Sequence, residues 1–225
     1  MARIVKDPDV RRAEILDVAQ RFFYQRGYEQ TSVQGIITEV GIAKGTFYHY
    51  FNSKLDLLDA VIERMIDQQL QSLEPLVADD QLSALEKFER FYKNIADWKI
   101  ENKAFFLDLM KIWYKDENTI LRYKVSATST EKIKPLLAQI IEQGIAEGAF
   151  TTKYPADIAE LILQLGQSLS DTLSRLIMNE AHNDGTLGII ERKRIVYHQA
   201  IERILNAHAG SIKLFDLTQV RLWLK

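Results

Sequence analysis

The sequence predicts an all-α protein: a three-helix N-terminal head containing a helix-turn-helix, followed by a larger helical domain. Three observations carry this. Glycine and proline are scarce, 10 and 4 among 225 residues, which argues against many short strands and tight turns. Apolar residues recur at offsets of three and four along nearly the whole chain. In the first quarter, two short helical stretches meet at a tight glycine-containing turn, which is helix-turn-helix spacing.

The elements follow in order. Residues 8–26 place Ile15, Leu16, Ala19, Phe22 and Phe23 on one stripe, and Gly27 fits a left-handed C-terminal cap. Thr31 and Ser32 offer N-cap side chains, and Thr31 with Gln34 has capping-box spacing. Val33, Ile36, Ile37 and Val40 give the inner face of a short second helix that Gly41 ends, with Ile42 plugging the turn. Residues 44–50 form a short third helix. Ser53 and Asp56 repeat the capping-box spacing, and Leu55, Leu58, Ile62, Met65, Ile66 and Leu70 mark a long amphipathic fourth helix expected to end near Pro75.

Beyond it the pattern stays helical. Residues 82–100 carry Leu85, Phe88, Tyr92, Ile95 and Trp98, and residues 104–114 form a shorter aromatic piece. Residues 117–148 make a long helix that Pro135 should kink or break. Residues 155–178 are apolar on more than one face. Residues 179–188 read as a loop of turn formers, and 189–208 as the last firm helix. The tail after Gly210 contains Ile212, Leu214, Phe215, Leu217, Val220, Leu222 and Trp223, a pattern that suits either a packed helix or an appended remnant.

Composition excludes several kinds of chemistry. With no cysteine, disulfides, Fe–S clusters and thiolate catalysis are out. His182, His198 and His208 lack zinc-ligand spacing, so no metal or other cofactor is expected. There is no glycine-lysine-threonine phosphate loop and no Gly-x-Ser-x-Gly elbow, so an enzyme is not expected. No stretch approaches about 18 apolar residues and the N-terminus lacks a signal-peptide core, so a cytoplasmic location away from membranes is expected. Net charge is −2. Within the first sixty residues, Arg3, Lys6, Arg11, Arg12, Arg21, Arg26, Lys44 and Lys54 balance Asp7, Asp9, Glu14, Asp17, Glu29, Glu39, Asp56 and Asp59. A surface for an anionic partner must therefore arise from where charges sit.

The turn and third helix concentrate the chemistry. Phe47 and Phe51, four residues apart, can anchor the helix on the core. The opposite side then presents Lys44, Thr46, Tyr48, His49 and Tyr50, donors suited to phosphate oxygens and base edges. Gly45 permits close backbone approach. Lys54 falls in the first turn of the fourth helix, and Thr31 and Ser32 at the start of the second, where free backbone amides favour anions. Taken singly, each has an ordinary reading: a solvated lysine, a surface histidine, an amphipathic tyrosine.

The ordered run Gly41-Ile-Ala-Lys44-Gly45-Thr46-Phe47-Tyr48-His49-Tyr50-Phe51-Asn52-Ser53-Lys54 closely resembles the signature of the TetR family of transcriptional regulators. The likeness covers about the first quarter of the chain, with a motif at about 32–51. It implies a DNA-binding domain over residues 1–53, a helical ligand-binding and dimerisation domain over 54–210, and a tail, 211–225, of open structure. By the same resemblance, Lys44 reads bases with Gln34 and Thr46 helping. Ser32, Tyr48, His49, Tyr50 and Lys54 grip phosphates around Gly45. Ala43 departs from the capping Ser or Thr of many members, leaving the third helix without a cap worth about 1 kcal/mol.

The family implies three partners: double-stranded operator DNA, a second copy through about 155–178 and 189–208, and a small-molecule effector. Trp98, Phe106, Met110, Trp113 and Tyr123 suit an aromatic pocket or plain core. Gln164, Ser168 and Thr172, with Arg175, share one face of an apolar helix. They suit a pocket, a dimer seam or a satisfied buried network.

Overall fold

A computed structural model describes residues 7–115, 118–178, 184–213 and 221–223. These residues form helices and connections with no strand among them. The order is α1 Pro8–Arg26, α2 Val33–Val40, α3 Lys44–Tyr50, α4 Lys54–Ala78, α5 Ala84–Glu101, α6 Lys103–Trp113, α7 Thr119–Ala146, α8 Pro155–Met178 and α9 Asp184–Leu205.

The chain divides into two compact units. The first runs to Ile66 and takes in Ala104–Val125, and the second comprises Asp67–Lys103 and Ser126–Lys225. In the first unit α1 packs on α2, and α2 on α3. Their shared interior is Ile15, Phe22, Phe23, Ile36, Phe47 and Phe51 with Leu57, Leu58 and Val61 of α4, all at most 4% exposed. α6 belongs to this unit through Phe105, whose ring meets Tyr24 of α1 edge-on at 5.0 Å. In the second unit α8 packs on α9. Phe88, Phe91, Ile140, Ile141, Ile162 and Ile201 lie in one buried cluster there.

Several sequence expectations need correction. α4 does not end at Pro75 but continues to Ala78. Pro75 is exposed, so the backbone acceptor it leaves without a partner, on exposed Gln71, can turn to water. Leu73 and Val77, on either side, hold the turn in the core. Buried Lys87 also donates from Nζ to the Val77 carbonyl at 2.6 Å, satisfying one end-of-helix acceptor. Of the kink or break expected at Pro135, the break does not occur: α7 runs through this exposed proline, and Leu137, Ile140 and Ile141 fix the following turn.

The expected Thr31–Gln34 capping box does not form. Thr31 is buried and its hydroxyl donates to the Gly27 carbonyl at 2.8 Å. Ser32 is the cap of α2, accepting from the Gly35 amide at 3.0 Å. A residue so committed one position upstream leaves Ser32 as the side chain with the right geometry. The loop expected over 179–188 does not extend past residue 183, because α9 begins at Asp184. Buried Ile190 and half-buried Leu187 carry the apolar stripe of α9 backward, which offsets the cost of about 1 kcal/mol for a helical glycine. Residues 179–183, including His182, lie outside the described residues. So do 1–6, 116–117, 214–220 and 224–225, which include Arg3, Lys6, Leu214, Phe215, Leu217 and Val220. In the tail, Ile212 is buried and its amide donates to Glu202 Oε1 at 3.2 Å. Residues 221–223 form a helical turn whose Leu222 carbonyl accepts from Lys103 Nζ at 3.0 Å.

Candidate nucleic-acid interface

The site is built on the α2–α3 corner. Gly41 takes a left-handed conformation (φ 70°, ψ 39°), and its amide reaches the Ile37 and Thr38 carbonyls at 3.0 and 3.2 Å. The Ile42 amide adds a bond to Ile37 at 3.2 Å. An L side chain rarely accepts that φ, so glycine sets the angle between the two helices. Ala43 is the N-cap of α3 and supplies no side-chain bond.

α3 turns its two phenylalanines inward. Phe47 is 0% and Phe51 1% exposed, with ring centroids 5.9 Å apart. That anchoring fixes which residues face out. Lys44, Gly45 and His49 are exposed, Tyr48 is 46% exposed, and Thr46 and Tyr50 are half-buried. Lys44 Nζ stands 5.9 Å from the Tyr48 ring centroid, and His49 meets Tyr50 edge-on at 5.0 Å. A Cβ added at Gly45 would meet no protein atom within 4 Å. The protein's own packing therefore does not require glycine there. Gln34 is exposed on α2, with Nε2 3.4 Å from Thr38 Oγ1.

Two sequence-predicted residues have local duties. Ser32 caps α2. Lys54 sits 4.1 Å over the Tyr28 ring and donates from Nζ to the Glu29 carbonyl at 3.3 Å. Burial pushes its ammonium below the usual lysine range, partly offset by the Glu29 carboxylate. At α4's start the Asp56 amide donates to Ser53 Oγ at 3.0 Å, while Asp56 Oδ2 accepts from the Asn52 amide at 2.7 Å.

The even charge balance of the head is sorted in space. Glu39 pairs with Arg21 at 2.5 Å, Asp17 with Arg64 at 2.5 Å, Glu14 with Arg11 at 2.7 Å and Glu29 with Lys115 at 3.1 Å. These carboxylates stand on α1, α2 and the turn between them, and their cationic partners on α1, on α4 and just past the end of α6. None of the four pairs with Lys44, the cation that opens α3. Net charge could not reveal this, because three of the four pairs, all but Arg11–Glu14, join residues distant in sequence.

Sequence reading also missed how α6 meets α1. Gly27 has φ +79°, and a Cβ there would lie 1.7 Å from Asp108 Oδ2. The positive φ requires glycine, and any side chain there would also displace the Asp108 carboxylate beside it. Its ψ of 163° makes it an extended positive-φ cap, not the left-handed cap the sequence suggests. No local pattern signals the Asp108 approach, which joins residues some eighty apart.

The candidate effector residues divide between the units. Phe106, Met110 and Trp113 are half-buried on α6, spaced four and three, while Phe105 and Ile112 are buried. Tyr123, on α7 in the same unit, is 75% exposed. Trp98 on α5 and Thr172 on α8, in the other unit, are half-buried, and Gln164 and Ser168 are exposed along α8. Thr172 Oγ1 donates to the Ser168 carbonyl at 3.0 Å.

A helix held by two buried phenylalanines, with donors on its outer face and the neighbouring carboxylates tied elsewhere, has the form of a DNA-recognition helix. Comparison with known proteins gives the family. Residues 15–61 match the bacterial regulatory proteins of the tetR family, and residues 110–175 match the tetracyclin repressor-like C-terminal domain. The chain belongs to the TetR family of DNA-binding transcriptional regulators. It is 26% identical over 151 residues to the HTH-type transcriptional repressor KstR2 of Rhodococcus jostii, spanning 66% of this chain and 72% of that protein. It is 26% identical over 167 residues to the uncharacterized HTH-type transcriptional regulator YfiR of Bacillus subtilis, spanning 72% and 78%. The crystal structure of a TetR-family transcriptional regulator from Pectobacterium atrosepticum shares the fold with a TM-score of 0.65 at 19% identity, covering 90% of this chain and 98% of that one. The family is one of regulators, not enzymes. Among the described residues, no helix is long and apolar enough to cross a membrane.

Proposed function

We propose that the protein is a homodimeric repressor that occupies a palindromic operator and is released from it by a small apolar or aromatic effector. The observation that carries the DNA half is the outer face of α3. Lys44 reads base edges from the first turn, with Thr46 and Gln34 beside it. Ser32, Tyr48, His49, Tyr50 and Lys54 bind phosphates, and Gly45 lets the backbone close on the duplex. Residues 1–53 are the DNA-binding domain and 54–210 the effector and dimerisation domain. Residues 211–225 are a tail anchored at Ile212. The regulator acts in the cytoplasm, where its operator is.

The dimer reading rests on apolar side chains left outward on the last two helices. Leu161 of α8 is 42% exposed, and Ile195 and Val196 of α9 are 41% and 63% exposed. A dimer through residues 155–178 and 189–208 would present two α3 helices to operator half-sites, which lie about one DNA turn, roughly 34–36 Å, apart. The effector reading rests on Phe106, Met110 and Trp113 along α6. α6 shares a compact unit with the head and touches α1 through Phe105–Tyr24 and Asp108–Gly27. An effector that shifts α6 therefore acts on α1 directly, and operator and effector oppose each other reciprocally.

The test is selection from a library of random duplexes, with sequencing of the retained pool, for wild type and Tyr48→Ala. The reading expects an enriched palindrome in the wild type. On that operator Tyr48→Ala loses a charge-assisted phosphate contact in each subunit, about 1.5 kcal/mol each or more, for on the order of a hundredfold weaker binding. No enrichment at low salt, where phosphate contacts are strongest, overturns it.

A further inference from the structure

We infer that Arg12, on the first turns of α1, is a phosphate-binding residue that extends the DNA interface past the C-terminal end of the recognition helix. The inference rests on the DNA-binding reading of the α2–α3 corner and adds a residue from outside it.

The guanidinium carbon of Arg12 lies 5.3 Å from the centroid of the Phe51 ring. Phe51 is the C-cap of α3, its amide bonded to the Phe47 carbonyl at 3.0 Å. It directly follows His49 and Tyr50. Arg12 is thus held at the end of α3 where two donors of the outer face already stand. It is exposed. A guanidinium drawn to a ring by the cation–π attraction can still offer its N–H groups to a phosphate.

Its charge is also unspent. Arg11, Arg21 and Arg64 each have a carboxylate partner at 2.7 Å or less. Binding phosphate through any of them requires breaking that pair first. Among the described residues Arg12 pairs with no carboxylate; Asp9, three residues earlier, takes none of its protons and instead shares the first turn of α1 with the Asp7 cap. Arg26 is stacked as well, 4.0 Å over Phe22, but it adjoins Gly27, where Asp108 brings a carboxylate. Arg26 therefore sits beside a carboxylate–lysine pair, Asp108 with Lys111 at 3.1 Å, and not at the end of α3. At the Arg12 end, the ring, the exposed guanidinium and the donors of α3 converge.

The alternative role for Arg12 is a lid that merely shields the Phe51 ring, and the experiment separates the two. Full-length wild type, Arg12→Met, Arg12→Gln and Arg11→Met are titrated with the selected operator and with an unrelated duplex over a series of salt concentrations. Methionine keeps apolar cover on the ring. Glutamine is the second variant should Arg12→Met fail to fold, as read by its melting curve. Each lost phosphate contact lowers the slope of log affinity against log salt by about 0.9, hence about 1.8 for a dimer on two half-sites. The expected result is that drop for the Arg12 variants. Affinity falls by about the same factor on both duplexes, because phosphate contacts carry no sequence information. Arg11→Met, which removes the same charge one residue earlier, keeps the wild-type slope. An unchanged slope in the Arg12 variants overturns the inference, as does an equal drop in Arg11→Met, which reports only the general field. If the wild type itself binds neither duplex, the DNA-binding reading fails along with it.

Discussion

The outer face of α3 and the outer faces of α8 and α9 are built by one device and left with opposite chemistry. In both regions an amphipathic helix buries one side: Phe47 in α3, Ala159 and Ile162 in α8, Ile190 and Ile201 in α9. What remains outside differs. α3 shows a lysine, a glycine, a tyrosine and a histidine. α8 and α9 show Leu161, Ile195 and Val196, with Gln164 and Ser168 exposed on α8 and Arg192, Lys193 and Gln199 exposed on α9. A donor-rich face suits an anionic polymer that keeps its water, while scattered apolar groups suit a surface that excludes it. The comparison teaches that α3 is finished as it stands, with a face for a charged partner, whereas the last two helices leave apolar groups outside that the proposed second copy would cover.

The largest expected effect comes from making the second face resemble the first. Leu161→Glu together with Val196→Glu places uncompensated carboxylates in the proposed seam. Each costs about 3 kcal/mol or more when buried unpaired. Sedimentation should report a monomer, against the dimer expected of the wild type. Operator affinity should fall by about 100-fold or more, since the two half-sites are no longer bound by linked heads. A monomeric variant with unchanged operator affinity breaks the comparison on the α3 side. A variant that stays dimeric breaks it on the α8–α9 side.

The two faces were not equally legible in the sequence. α3 could be read residue by residue because its determinants are local: the Phe47–Phe51 spacing, the Gly41 turn and the uncapped Ala43. The burial of α8 and α9 could be read as periodicity, but which apolar residues stay outside depends on what packs against them. Long-range contacts were illegible for the same reason. Nothing near Gly27 in the chain announces Asp108, and nothing near Arg12 announces Phe51. The prolines misled because the rule that a proline ends a helix is local, while Leu73, Val77, Leu137 and Ile140 hold their helices together through the core. The candidate effector residues were legible only as a composition. The chain divides them between two units, a division that follows from tertiary packing alone.

A smaller effect sharpens the α3 side. Ala43 has φ −73° and ψ 151°, a backbone that serine adopts as an N-cap, yet it supplies no bond. Ala43→Ser should let a hydroxyl accept from an amide in the first turn of α3, worth about 1 kcal/mol. Hydrogen exchange of the α3 amides should slow about fivefold, in line with that figure. Operator affinity should rise modestly if α3 frays before it binds. Slowed exchange with unchanged affinity would mean that α3 is already fully formed when it meets DNA.

The smallest effect lies behind the outer face of α9. His198 is half-buried, and burial pushes its imidazole below the usual histidine range. Arg194 adds to this, while Glu202 and Glu191 act in the opposite direction. The unfolded chain therefore takes up this proton more readily than the folded one, so protonation favours unfolding. The stability that a neutral His198 contributes is fully present above the unfolded value of 6.5, and is lost as pH falls below it towards the lower folded value. The melting temperature of the wild type should decline over that interval, and His198→Gln should flatten the decline while leaving the curve above it nearly unchanged. An equal decline in both proteins would place the acid sensitivity elsewhere. The same titration followed by sedimentation tells whether the change stays inside the subunit. Ile195 and Val196 carry no titrating group, so a seam made from them keeps its dimer while the fold behind it softens.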